Sequence, residues 1–185
     1  MKKITADYIF TLDSEPRQDA VIILDADGTI LDITDLQPFE KVERYSGIIC
    51  PGFVNTHCHL ELSHLKGAIS KKTGLVKFIQ GVQKQRRKTS DQILKAIEEA
   101  EKEMVDAGIV AVGDISNTHH TIKQKQKGNL YYHTFVEAFG FSPGRAQAVF
   151  DERLELKDRF EQKGLSASIT PHAMYSTSKE LMELI

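Results

Sequence analysis

Pro51-Gly52-Phe53-Val54-Asn55-Thr56-His57-Cys58-His59-Leu60 decides how the rest of this chain is read. Ile48 and Ile49 precede it, so the pattern predicts a strand running through Ile48, Ile49 and Phe53 toward His59. Side chains at i and i+2 on a strand point the same way, which puts His57 and His59 on one face and Cys58 on the other. Two imidazoles so spaced can approach one ion. Neutral nitrogen donors suit zinc, iron, nickel or cobalt better than magnesium or calcium.

C-terminal to this stretch, strands alternate with amphipathic helices, the pattern of βα units around a parallel sheet. Leu75, Phe78, Ile79 and Val82 have helical spacing, as do Ile93, Leu94, Ile97, Ala100 and Met104, with Ser90 as the expected cap and Gly108 as the stop. The nearly continuous apolar run Ile109 to Ile115 reads as a second strand covered on both faces. Leu130 to Phe139 is the third strand. A helix from about Pro143 to Lys163 leads through Gly164 to a fourth strand at Leu165 to Thr170, and a last helix begins near Ser176 to Glu180. This gives four βα units at residues 51–185, whereas a (β/α)8 barrel takes eight in about 250 residues. The expected fold is α/β, the N-terminal half of such a barrel.

Residues 1–50 read differently, as short strands at Ile4 to Leu12, Ala20 to Leu24 and Ile30 to Ile33. The turn signal Asp25-Ala26-Asp27-Gly28 joins the last two into a hairpin. A small β-module ahead of the barrel strands is expected.

The composition fits a globular chain with one real core: 185 residues, 41% hydrophobic. No run approaches the roughly 20 apolar residues of a membrane span, and MKKITADYIF turns polar too quickly for a signal peptide, so a cytoplasmic protein is expected. Twenty-four Lys and Arg against 26 Asp and Glu leave a charge of -2, which argues against nucleic acid or anionic lipid as partner. The cluster Lys84-Gln85-Arg86-Arg87-Lys88 reads as the solvated end of a helix. Cys50 and Cys58 read as free thiols, since they form neither a disulfide framework nor a CxxC pair. GxSxG, P-loop and HExxH motifs are absent from the sequence.

The segment PGFVNTHCHLELS resembles the first-strand motif of the amidohydrolase superfamily, in which a PG(F/L)(V/I)(N/D) run leads into paired metal-binding histidines. Within it, the chain is similar to the deaminase and chlorohydrolase branch, which includes S-adenosylhomocysteine, guanine and aminodeoxyfutalosine deaminases. Gly108 to Asp114 and Thr170-Pro171-His172-Ala173-Met174-Tyr175-Ser176 resemble the same branch, and the three matches span residues 47–178. The resemblance implies that the N-terminal strands belong to a small β-sandwich beside the barrel, that His57 and His59 are metal ligands, and that His172 contacts substrate. Glu61 and Ser63 line the same mouth if their loop turns inward, and otherwise belong to a solvated loop. Asp114 and Glu137 face the pocket or the helix layer according to register, which a one-residue slip reverses. His119 and His120 read as surface residues, and His64 and His133 as packing or loop histidines.

The implied reaction is metal-dependent hydrolysis of a carbon–nitrogen bond, with deamination of an aminated purine-type ring the first expectation. A bound divalent metal, zinc foremost, lowers the pKa of water toward about 7. The resemblance puts the remaining ligands and the general acid/base beyond Ile185, so the 185 residues alone are expected to be inactive. A half-barrel leaves strand edges uncovered, which favours self-association into a homo-oligomer. The rival readings are chlorohydrolysis or cyclic-amide hydrolysis by the same chemistry, or a non-catalytic association module.

Overall fold

The computed structural model describes residues 1–86 and 88–185, and Arg87 of the basic cluster lies outside them. The described chain divides into two compact units, Met1–Gly52 and Phe53–Ile185.

In the first unit, β1 (Lys2–Thr5), β3 (Ala20–Leu24), β4 (Ile30–Asp35) and β5 (Glu43–Arg44) form a sheet in the order β4-β3-β1-β5, and β2 (Tyr8–Ile9) pairs with β6 (Ile48–Ile49). The expected hairpin is β3–β4, antiparallel, with Asp25 Oδ1 accepting the turn amides of Asp27 and Thr29 at 2.9 and 2.8 Å. Ile9, Ala20 and Ile22 make its buried core. The expected strand from Ile4 to Leu12 is two pieces. Asp7 lies between them and accepts the Gly47 amide at 2.7 Å, while Leu12 has φ 70°, which no strand residue adopts.

In the second unit, β7 (Phe53–Cys58), β8 (Ile109–Ser116), β9 (Tyr131–Ala138) and β10 (Ser166–Pro171) form an all-parallel sheet in the order β10-β9-β8-β7. Parallel neighbours need crossovers. These are made by α1 (Leu75–Gln85) and α2 (Ser90–Asp106), by the short α3 (Ile122–Lys125), and by α4 (Ala146–Glu161), with α5 (Lys179–Leu184) following β10. The first strand of this sheet is shorter than expected, because Ile48 and Ile49 pair with β2 and Pro51, which has no N–H, stands between them and β7. Thr89 caps α2, not Ser90: the Thr89 backbone is extended, its side chain accepts from Gln92 N, and Gln92 answers to the Thr89 amide. Ser178 caps α5 by accepting from Leu181 N.

Alternation assigns the faces. Val112 on β8 and Tyr132 on β9 pack with Ile93 and Ile97 of α2, and Val136 packs on Phe160 of α4, so the even-numbered residues of both strands face the helices. The odd row, Ala111, Gly113 and Ile115, is half-buried, so the double cover expected of this strand holds on the helix side only among the described residues. Several charges lie in the helix layer. Glu101, 1% exposed, accepts from Gln124, from Asn129 Nδ2 at 3.0 Å and from the Tyr132 hydroxyl at 2.9 Å, and burial beside this carboxylate raises the Tyr132 pKa.

Candidate active site

Between Asn55 and Cys58 the register of β7 against β8 shifts. Asn55 and Cys58, three residues apart, both turn toward the helices: Asn55 Nδ2 reaches Met104 Sδ at 3.7 Å, and Cys58 packs on the core under α2. The bulge falls on Thr56 and His57 and requires a glycine opposite. A Cβ on Gly113 would lie 2.8 Å from the Thr56 carbonyl oxygen and 3.1 Å from the Phe135 ring, closer than packed atoms approach. Beyond the strand end, the His59 backbone turns into a 3-10 helix at Leu60–Leu65. The His57 and His59 rings stand edge to face with centroids 5.3 Å apart. His57 is exposed. His59 is half-buried, and its Nδ1 is shielded from solvent with no hydrogen-bond partner among the described residues. An unpartnered buried imidazole nitrogen fits a role as metal donor. Two imidazoles are only part of a shell, and among the described residues no group of three or more His, Cys, Asp or Glu is placed to hold a metal ion.

A cavity of about 620 Å³ opens beside His59. Its polar lining includes Asn117, Glu137, His172 and Ser176, with Gln83 and Arg86 at the end of α1, and its apolar lining includes Leu62, Ile69, Phe78 and Ile79. The expected helical face at Leu75 to Val82 is therefore present but not packed as a core: no residue of α1 is buried, and its apolar side chains border this cavity.

The sequence-predicted residues divide here. Glu137 lies between Val136 and Ala138, which face the helices, and so points into the cavity. It accepts from Asn117 Nδ2 at 2.9 Å, and its other oxygen stands 4.0 Å from His172 Nε2. His172 also lines the cavity, with Nδ1 2.7 Å from Ser176 Oγ. Asp114 has the opposite orientation. It is fully buried on the helix side and committed to Lys125 Nζ at 2.6 Å, Ser116 Oγ at 3.0 Å and the Leu60 amide at 2.8 Å, so it cannot touch a ligand in the cavity. Lys125 is itself fully buried, over the Tyr132 and Phe160 rings, and burial lowers its pKa against the opposing pull of Asp114.

Glu61 turns inward but is spent on structure. Its side chain is 1% exposed and accepts from Arg86 at 3.0 Å, the Asn117 amide at 3.1 Å and Thr118 Oγ1 at 2.6 Å, which ties the loop after β8 and the end of α1 to the strand carrying the histidines. Ser63 donates to the Leu60 carbonyl at 2.8 Å and does not line the cavity. His120 is half-buried, not a surface residue, and desolvation followed by the neighbouring His119 lowers its pKa. His133 sits between Ser166 and Ser168, at 2.8 and 2.9 Å. Cys58 is a free thiol whose pKa burial and Asp114 push up to about 12.

Asn117 was not singled out from the sequence, and no local motif marks it; Ser176 entered only as the end of the segment Thr170 to Ser176 and as a helix start, without a role at the site. Only the convergence of the β8 and β10 loops brings them to the cavity.

Solved structures of similar fold are larger than this chain. All of it aligns with Helicobacter pylori aminofutalosine deaminase in complex with methylthio-coformycin, at TM-score 0.77 and 24% identity, covering 47% of that protein. It aligns with zinc-complexed atrazine chlorohydrolase from Arthrobacter aurescens at TM-score 0.70 and 16% identity, covering 49% of that chain. An amidohydrolase from Brucella melitensis gives TM-score 0.67 at 15% identity, again with 49% covered. The chain thus spans about half the length of these proteins, and its α/β fold resembles the N-terminal half of amidohydrolase barrels. A comparison with functionally curated proteins gave no match. No helix among the described residues is long and apolar enough to cross a membrane. The sequence profile of the amidohydrolase family matches residues 48–185, well over half of the chain, and the chain belongs to that family.

Proposed function

We propose that this chain carries the first metal-binding edge and part of the substrate wall of a hydrolase that deaminates an aminated purine-type or related ring. The observation that carries this reading is His59: its Nδ1 is buried and unpartnered among the described residues, and the residue borders the cavity that Glu137 and His172 also line. His57 and His59 would hold a divalent cation, zinc by preference, and the cation would supply the Lewis acidity that lowers the pKa of water. His172 contacts the substrate, Glu137 faces it as a carboxylate, and Asn117 holds Glu137 in position. The apolar side chains of α1 exclude water from a flat ring. The names of the similar structures, a deaminase and a zinc-complexed chlorohydrolase, support hydrolysis at a ring carbon and keep chlorohydrolysis as the second reading. The fuller architecture we propose is a (β/α)8 barrel with the N-terminal strands in a small β-sandwich.

Zinc binding tests the metal edge directly. The purified 185-residue chain should take up zinc weakly in equilibrium dialysis, and His57→Ala or His59→Ala should abolish that uptake. Equal uptake by parent and variants would refute the assignment. Because two imidazoles fall short of the three protein ligands usual at a catalytic zinc, the 185 residues alone should release no ammonia from adenosine. Ammonia release by the protein as its gene encodes it supports deamination, whereas chloride release from a chlorinated triazine supports the second reading.

A further inference from the structure

We infer that Ser176 is a positioning residue that holds neutral His172 in its Nδ1–H form, so that the imidazole presents a bare Nε2 to the cavity. This deepens the assignment of His172 to the substrate wall, and it rests on that reading only for its use.

The protons and acceptors around Ser176 Oγ decide the tautomer. Ser176 Oγ lies 2.7 Å from His172 Nδ1 and 3.0 Å from the Ala173 carbonyl oxygen. The serine hydroxyl has one proton and the carbonyl only accepts. If Nδ1 carries the imidazole proton, it donates to Ser176 Oγ while the hydroxyl donates to Ala173, and both contacts are hydrogen bonds. If Nε2 carries it, the hydroxyl must turn to Nδ1, and one of the two contacts is lost. Nε2–H gains no protein acceptor in exchange, since Glu137 Oε1 is 4.0 Å away, and water at the part-exposed ring can donate to a bare Nε2 as readily as accept from Nε2–H. The first arrangement is therefore favoured by one hydrogen bond.

The serine is well held for this task. It is buried, it closes the 3-10 turn Met174–Ser176 through its amide to Ala173 at 3.0 Å, and its carbonyl accepts the Gly140 amide at 2.9 Å. His172 is fixed in turn by its own amide to the Ala138 carbonyl at 2.9 Å, at the end of β9.

The consequence is a wall of acceptors. Beside the bare Nε2 stands the Glu137 carboxylate, with Oε1 4.0 Å away. Because Glu137 only accepts, the Asn117 amide must face it with Nδ2, leaving Oδ1 buried and unpartnered among the described residues. A ligand group set between His172 Nε2 and Glu137 is a hydrogen-bond donor, an amino, ring N–H or hydroxyl group, while Arg86 and Gln83 supply donors elsewhere in the cavity lining.

The test needs neither metal nor substrate, so its failure is separate from failure of the proposed function. Long-range proton–nitrogen correlation spectra of the nitrogen-15-labelled chain at about pH 9, above the ordinary imidazole range, report which ring nitrogen carries the proton. His172 should show a protonated Nδ1 and a bare Nε2. Ser176→Ala should shift the Nδ1–H to Nε2–H ratio by about tenfold toward Nε2–H, the equilibrium equivalent of one hydrogen bond, and Ser176→Thr should restore it. A parent spectrum dominated by Nε2–H overturns the inference whether or not the variants fold, and so does a ratio unchanged in a folded Ser176→Ala.

Discussion

Asp114 and Glu137 make an instructive pair. Each is an acidic residue near the C-terminal end of an inner strand, and each is almost completely buried. Asp114 faces the helices, with a buried lysine, a serine hydroxyl and a backbone amide on its two oxygens. Glu137 faces the cavity with one side-chain amide, and its other oxygen lies beyond hydrogen-bond reach of His172. A carboxylate with three donors on it holds the fold together; one left with a single donor on a cavity wall has capacity for a ligand. The difference is one of strand parity, an even position against an odd one.

Removing the counter-ion of the satisfied carboxylate should have the largest effect. Lys125→Met leaves Asp114 charged, buried and unpaired, and should lower the unfolding free energy by about 3–5 kcal/mol in urea titrations, with Asp114→Leu/Lys125→Met losing less than the single variant. Should the double variant lose as much as the two single variants summed, the pair is not coupled and the contrast fails. Glu61, buried at the rim and bound by three donors, belongs with Asp114 despite its place near the mouth, so Glu61→Ala should cost about 3 kcal/mol. Faster proteolysis between α1 and α2 should accompany it, since Glu61 ties down Arg86. A smaller loss of about 1.5 kcal/mol is expected for Ser116→Ala, which takes one donor from Asp114 and leaves the lysine in place. Glu137→Gln should change stability least, by under about 1 kcal/mol, because the amide oxygen still accepts from Asn117. A loss near that of Lys125→Met would move Glu137 into the structural class.

Much of the α/β part was legible because its signals are local. The nearly continuous apolar run Ile109 to Ile115, the glycines ending helices and the Asp25 to Gly28 turn each act within a few residues. The errors came where two local rules compete or a distant partner decides. Ser90 and Thr89 are both able to cap, and the extended Thr89 backbone settles it. Ile48 and Ile49 look like the start of a barrel strand, but pairing with β2 claims them.

For the candidate site the boundary falls between adjacent residues. By itself the sequence determined the family motif, the order of strands and helices, and the nearness of His57 to His59, because residues two apart in an extended segment stay close; the bulge and the turn into the 3-10 helix set how the two rings face. Only the tertiary structure decided that Asp114 turns to Lys125 and Glu137 to the cavity, that Glu61 is consumed in binding loops, and that Asn117 and Ser176 belong to the wall. These depend on sheet register, on the bulge opposite Gly113 and on loops that meet after long separations along the chain. Such contacts leave no periodicity in the sequence, since the partners are chosen by packing across the sheet and not by spacing along it.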